Sequence, residues 1–215
     1  MSDKQYYETE VVFPHPAIVE YPHVLSVDKQ NGKYACTFLI DKDTEEGKET
    51  LKANTQAILN AVKRGFAEGT FKANGVDPNA DDFDQKARDF MRSSGFYLPL
   101  KDGEAKAEKT PEFAGRYYVK AISKPTDAHP NVPAVDMQRK PLTSATLYSG
   151  ALAKAKIWYA PYSNTNGMGV TATLVAIVKT GDGERLAGSG PSDPLDGFGL
   201  PDGPATADDP FAGIV

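Results

Sequence analysis

The sequence is poor in residues that build a scaffold by covalent or metal chemistry. Its single cysteine, Cys36, excludes an internal disulfide and a cysteine-based zinc site, and fits a reducing cytoplasm. The three histidines, His15, His23 and His129, each adjoin a proline and lack HxxxH or HExxH spacing, so they read as turn-flanking polar residues and no metal is expected. Long apolar runs are missing too. The longest plainly aliphatic run is Leu174 to Val178, against the roughly 20 residues a spanning helix needs. The opening Met1-Ser-Asp-Lys-Gln has no apolar segment, so no secretory leader is expected.

Nucleotide-enzyme motifs are equally scarce. No GxxxxGK[ST] occurs, and Gly167-Met-Gly169 has Ala172 where a dinucleotide loop needs its third glycine. Asp77 to Asp81 begins like a calcium loop, but Asp82 and Arg88 stand where glycine and glutamate belong. No cofactor is expected. An alternative, a metal-dependent nuclease or other phosphoryl-transfer enzyme, would draw carboxylates from Asp41, Asp43, Glu45, Asp182 or Glu184. Asp182-Gly-Glu184 reads more simply as a hairpin turn, and the acids from Asp41 to Glu46 as a helix start.

What is present is an ordinary globular composition: 215 residues, 40% hydrophobic and 25% charged, enough for one domain. The net charge of −5 speaks at first against a polyanionic ligand, but the charge is segregated. Residues 187–215 carry five aspartates and no Lys or Arg, leaving 24 acids and 24 bases before them. Residues 116–179 hold eight bases and two acids. The final 29 residues also contain six Gly and five Pro, so a disordered acidic tail is expected over 188–215.

Strand signals occupy 8–14, 17–21, 33–41, 117–123, 151–159 and 168–179. Between them, Asp43 and Glu46 suggest a capped helix start, followed by Leu51, Ile58, Leu59, Val62 and Phe66 at helical spacing. A shorter helix is expected after Asp82, with Gly95 as its C-cap. Helices interrupt a β protein rather than alternating with strands. The expected fold is therefore mainly β: a small Greek-key barrel over 1–187 with a helical insertion at about 43–95.

Period-2 alternation divides Ala151–Tyr159 into two faces. One carries Ala151, Ala153, Ala155, Ile157 and Tyr159; the other carries Leu152, Lys154, Lys156 and Trp158. Cations beside an aromatic on an open sheet face suit single-strand binding, because cations follow phosphates and any base can stack on a ring. Trp158 can equally cap the core with the lysines solvated. Tyr118 and Lys120 form a second aromatic and basic strand pair, Tyr162 lies in an expected hairpin loop after Tyr159, and Arg139 and Lys140 add charge nearby in sequence.

Leu147-Tyr-Ser-Gly150, the strand to Trp158-Tyr159, Gly167-Met-Gly169-Val170 and Gly181-Asp-Gly183 together resemble the bacteriophage single-stranded DNA-binding proteins. Phe13-Pro14, Phe38 to Lys42 and Leu98 to Gly103 extend the resemblance over about residues 10–188. It implies an OB fold and a non-enzymatic protein that coats single strands in phage replication, recombination or repair, in the host cytoplasm. The tail, through Asp208, Asp209 and Phe211, would then recruit replication or recombination proteins or compete with DNA. It is thinly acidic for that role and extends four residues past Phe211.

Overall fold

A computed structural model describes residues 7–92 and 95–186. The expected tail, with Asp208, Asp209 and Phe211, lies outside the described residues. The strands are β1 (Glu10–Val12), β2 (Ala17–His23), β3 (Tyr34–Asp41), β4 (Phe96–Tyr97), β5 (Leu100–Asp102), β6 (Arg116–Ser123), β7 (Ala134–Asp136), β8 (Leu152–Asn164) and β9 (Gly167–Gly181). Helices α1 (Glu45–Ala67) and α2 (Phe83–Met91) fall between β3 and β4, and a short helix α3 (Glu104–Ala107) and a 3-10 turn (Pro111–Phe113) between β5 and β6. The sheet runs β4-β9-β8-β2-β3-β6-β5, with β1 added to β8 and β7 to β9. Strands β4 and β7 are parallel to β9, and the remaining pairs are antiparallel. β6 comes alongside β9, so the sheet curls strongly.

All six expected strands form. The hairpin expected after Tyr159 is much tighter, because the β8–β9 ladder continues to Asn164 opposite Gly167 and only Thr165 and Asn166 turn the chain. The start of α1 also differs from the expectation. Thr44, not Asp43, caps it, its hydroxyl accepting from Gly47 N–H at 3.1 Å. Gly95 does not directly cap α2, since the Arg92 N–H closes that helix on Arg88 and Phe90. Asp182-Gly-Glu184 makes no hairpin. Residues 182–186 fold back instead along the turn before β8, with Leu186 N–H donating to Ser149 O at 3.1 Å. Gly150 (φ +106) makes room for this, because a Cβ there would meet Glu184 O.

The core lies on the inner face that the alternation of β8 predicts. Ala151, Ala153, Ala155, Ile157 and Tyr159 are buried with Phe13, Val19, Phe38, Val119, Leu174 and Ile177. Helix α1 packs its Ile58, Leu59, Ala61 and Val62 stripe against this face. The Tyr159 hydroxyl donates to Asn54 Oδ1 at 2.6 Å, and Asn54 Nδ2 donates to Thr50 O at 2.7 Å, so these buried side-chain atoms are paired. Beyond α1, Phe66, Phe71, Phe83, Phe90 and Phe96 join edge-on and tilted, their centroids 5.0 to 6.0 Å apart. Gly65 permits that approach, since a Cβ would meet the Phe71 ring at 2.4 Å.

Replacing Tyr159 by Phe removes the hydroxyl and strands Asn54 Oδ1 in the core. Urea unfolding is expected to show a loss of about 1–3 kcal/mol. An unchanged midpoint would show that the bond contributes nothing to seating α1.

Candidate functional site

The outward face of β8 carries Lys154, Lys156 and Trp158, as period-2 alternation requires, but each has a partner from the N-terminal segment. Lys154 Nζ donates to Pro14 O, and Lys156 Nζ pairs with Glu10 Oε1 at 2.7 Å. Trp158 Nε1 donates to Thr9 Oγ1 at 3.0 Å while the residue stays 38% exposed. The ring is therefore fixed with part of its surface open, and the lysines are held within the molecule.

The other sequence candidates scatter. Tyr118 is only 8% exposed, in a small second core with Leu39 and Phe113. Its ring meets Phe113 edge-on at 5.0 Å and has Lys106 Nζ 4.4 Å from its centroid. The expectation of an open aromatic here is corrected: residues 104–114, folded over the outside of the sheet, occupy its faces. Lys120, two residues on, is exposed. Arg139 and Lys140 lie in the turn after β7, where Asp136 Oδ1 accepts from the Gln138 and Lys140 N–H groups. β7 runs beside β9 at Ile177–Lys179, nine residues along from Gly169, or about 30 Å. These two bases are not brought to Tyr162.

Tyr162 lies opposite Gly169, and so does Tyr97 of β4 on the other side of β9. Tyr97 is 40% exposed with Lys101 Nζ 4.5 Å from its ring centroid. Burial, then the nearby Tyr162 and Tyr118 phenols, push the Tyr97 phenol above its ordinary pKa. Lys101 in turn lies opposite Tyr118 in the β5–β6 ladder. An aromatic and basic patch thus gathers Tyr97, Lys101 and Tyr162, with Trp158 on the same face of β8 about 13 Å from Tyr162. Farther along β6, beyond the covered Tyr118, lies a groove of about 310 Å³ lined by Tyr21, His23, Lys33, Lys120 and Ile122, with Asp28 as its acid. Sequence reasoning passed over Tyr97, Lys101, Tyr21 and Lys33. The two-residue strand β4 has no readable period.

Beside the groove is an unusual carboxylate. Glu20 on β2 is 1% exposed, and the Oε2 atoms of both Glu20 and Glu112 are buried without a hydrogen-bond partner. Burial, then the facing Glu112, raise the Glu20 pKa to about 7 against the opposing Ser149 and Tyr21 hydroxyls. Tyr21 itself has φ +49, at the bulge where β2 shifts register against β3.

The acids of the phosphoryl-transfer alternative do not converge. Asp41 pairs with Arg116 at 2.7 Å and Glu45 with Lys48 at 2.7 Å, while Asp182 accepts from the Tyr148 hydroxyl at 2.9 Å. Among the described residues no group of three His, Cys, Asp or Glu side chains is placed to hold a metal ion. Cys36 is buried, and burial pushes its thiol pKa far up, as befits an inert core residue. No described helix is long and apolar enough to cross a membrane.

The family model for the single-stranded DNA-binding protein of Enterobacter phage Enc34 matches residues 11–210. The structure of that phage protein in complex with single-stranded DNA is 20% identical at a TM-score of 0.58, over 85% of this chain and 96% of that one. Another structure of the Enc34 protein is 19% identical at 0.58, over 91% and 97%. The single-stranded DNA-binding protein gp2.5 of bacteriophage T7 is 15% identical at 0.54, over 92% and 98%. No curated protein sequence matches. The likeness shows a shared fold, a mixed β-sheet with helical insertions in OB-like topology.

The Glu20 shift fixes the sign of a pH effect. A carboxyl raised from 4.5 to about 7 on folding stabilises the fold fully below 4.5, and that contribution is lost as pH rises through 7. Glu20→Gln is expected to flatten this slope, gaining up to about 3 kcal/mol over wild type between pH 5 and pH 8 in urea unfolding. Parallel pH profiles would show that Glu20 ionises freely in the folded state.

Proposed function

Because the chain belongs to the family of the Enterobacter phage Enc34 single-stranded DNA-binding protein, we propose that it binds single-stranded DNA without sequence preference and without turnover. The observation that carries this is the outward patch of Tyr97, Lys101 and Tyr162, with the Lys33 and Lys120 groove farther along β6. Aromatic faces accept any base, and ammonium groups set along a curved sheet follow a phosphate chain rather than a base sequence. Tyr162 and Tyr97 are the stacking residues, with Trp158 farther along β8. Lys101, Lys120 and Lys33 take phosphates. Lys154 and Lys156 join them only by giving up Pro14 and Glu10, and Arg139 and Lys140 lie off this path. The setting is phage DNA replication, recombination or repair.

In this reading residues 1–187 are one OB-type barrel closed by β6 against β9, with the helical insertion at about 43–95 packed on it. Residues 188–215 are an acidic tail that competes with DNA and offers Asp208, Asp209 and Phe211 to replication or recombination proteins. Tethering raises the tail's effective concentration at the cationic face, though five separated aspartates imitate a phosphate chain weakly.

Fluorescence anisotropy with labelled oligo(dT) and a duplex of equal length tests the reading. Single strands are expected to bind more tightly, with Tyr97→Ala and Tyr162→Ala each costing about 1–3 kcal/mol. Lys101→Ala and Lys120→Ala are expected to lower the slope of log K against log salt by about 0.7 for each phosphate no longer neutralised. Folded variants with unchanged affinity and slope would move the interface elsewhere, and the absence of any oligo(dT) binding would overturn the function.

Removing residues 188–215 is expected to raise affinity at low salt, an advantage that fades as salt screens both interactions. Equal affinities at every salt concentration would make the tail a bystander to DNA binding.

A further inference from the structure

The segment 104–114 covers the part of β6 that carries Tyr118, and what holds its inner side down is chemically unusual. Its outer root is firmly tied: Lys42 Nζ pairs with Glu104 Oε1 at 3.1 Å, and Glu104 Oε1 accepts from Gly115 N–H at 2.8 Å. Phe113 and Lys106 lie over the Tyr118 ring. Glu112, from the same segment, faces Glu20 of β2, and each carboxyl has a buried Oε2 with no partner. The buried Glu20 carboxyl, facing Glu112, carries charge only at a large cost, which one proton on Glu20 relieves.

Among the described residues around the pair, no uncommitted cation is placed to replace that proton. From β2 comes the Tyr21 phenol, set between Glu20 and Thr110, and from the turn before β8 the Ser149 hydroxyl. From β3 comes the Cys36 thiol, kept neutral by burial. The nearby Arg116 is committed to Asp41 Oδ1 at 2.7 Å and to the Glu112 backbone carbonyl at 2.6 Å. Lys106 lies over the Phe113 and Tyr118 rings.

We propose that Glu20, facing Glu112, is a proton-operated latch: while Glu20 keeps its proton the 104–114 segment stays seated over Tyr118, and loss of that proton to solvent unseats the segment and opens Tyr118 to the nucleic-acid face. Burial and Glu112 together place the Glu20 titration at about 7, within reach of ordinary cellular change. The seated state binds the extra proton, so rising pH favours the open one. Tyr21 extends the effect to the groove it lines, because its phenol contacts Glu20 from a backbone conformation at φ +49 that few aromatic residues adopt. The latch itself stands on the buried, unpartnered Oε2 atoms of Glu20 and Glu112 and on the Phe113 and Lys106 contacts over Tyr118; its effect on a ligand rests on the single-strand reading above.

Hydrogen exchange of the full chain, corrected for intrinsic rates, separates these claims. Between pH 5.5 and pH 8.5 the protection of amides in 104–114 is expected to fall on the order of thirtyfold, while amides of the β8–β9 ladder keep theirs. Glu112→Gln, which cannot ionise and can donate to Glu20, is expected to hold the segment protected at both pH values. Equal protection of wild type at the two pH values, or the same fall in Glu112→Gln, overturns the latch. Oligo(dT) affinity of wild type is expected to change with pH over the same range and that of Glu112→Gln to change less. A segment that opens with no change in affinity overturns the coupling to the ligand. A protein that binds no oligo(dT) at either pH overturns the single-strand reading, and the exchange data still decide the latch.

Discussion

The structure depends on the inner face of β8. Ala151, Ala153 and Ala155 are small and fully covered, and Ile157 and Tyr159 are large and equally covered, so the strand tapers from a close approach to a filled interior. Small side chains let β2 and β9 close around the first half. The large ones reach the stripe of α1, where Tyr159 meets Asn54. This polar bond in a dry interior, with the exposed contacts of Asn60 to Glu8 O and of Glu49 to His15, gives register to α1, because a shift along its axis would strand the buried partners.

That packing leaves the opposite face of the same strands for a ligand, and the electrostatics of that face are balanced rather than simply positive. Lys156 is paired with Glu10, Lys42 with Asp102 and Glu104, and Arg116 with Asp41. Exposed pairs of this kind contribute little to stability. They do make any phosphate exchange partners with a carboxylate, which moderates affinity and makes it sensitive to salt. Lys101 and Lys120 stand outside such exchanges: one lies over Tyr97 and the other is exposed beside the groove.

Glu20 and Glu112 are where the chain departs from the rules that the rest obeys. An acid on the covered part of β2, beside an aromatic at positive φ, conflicts with both burial and backbone preference. Such conflicts persist where surrounding structure over-determines them and tend to mark places that move or bind. Here three chain segments meet: the β2 bulge, the 104–114 cover, and the turn at Ser149 to which Leu186 returns.

Local periodicity was enough to assign side chains to sides. Alternation sent Ala153, Ala155 and Ile157 to the core and Lys154, Lys156 and Trp158 to the outside, and helical spacing placed Ile58, Leu59 and Val62 inward, because each side chain's direction follows from backbone geometry within a few residues. The charge segregation that set residues 187–215 apart was equally legible. What crosses each face emerged only on folding. Pro14 O holds Lys154, 140 residues away, and Glu10 holds Lys156. Phe113 covers a Tyr118 that alternation alone would leave open, and Tyr97 joins Tyr162 through Gly169 between them. Period fixes the direction of a side chain but not its neighbour, and neighbours are set by strand order and loop path, which depend on the packing of the whole chain.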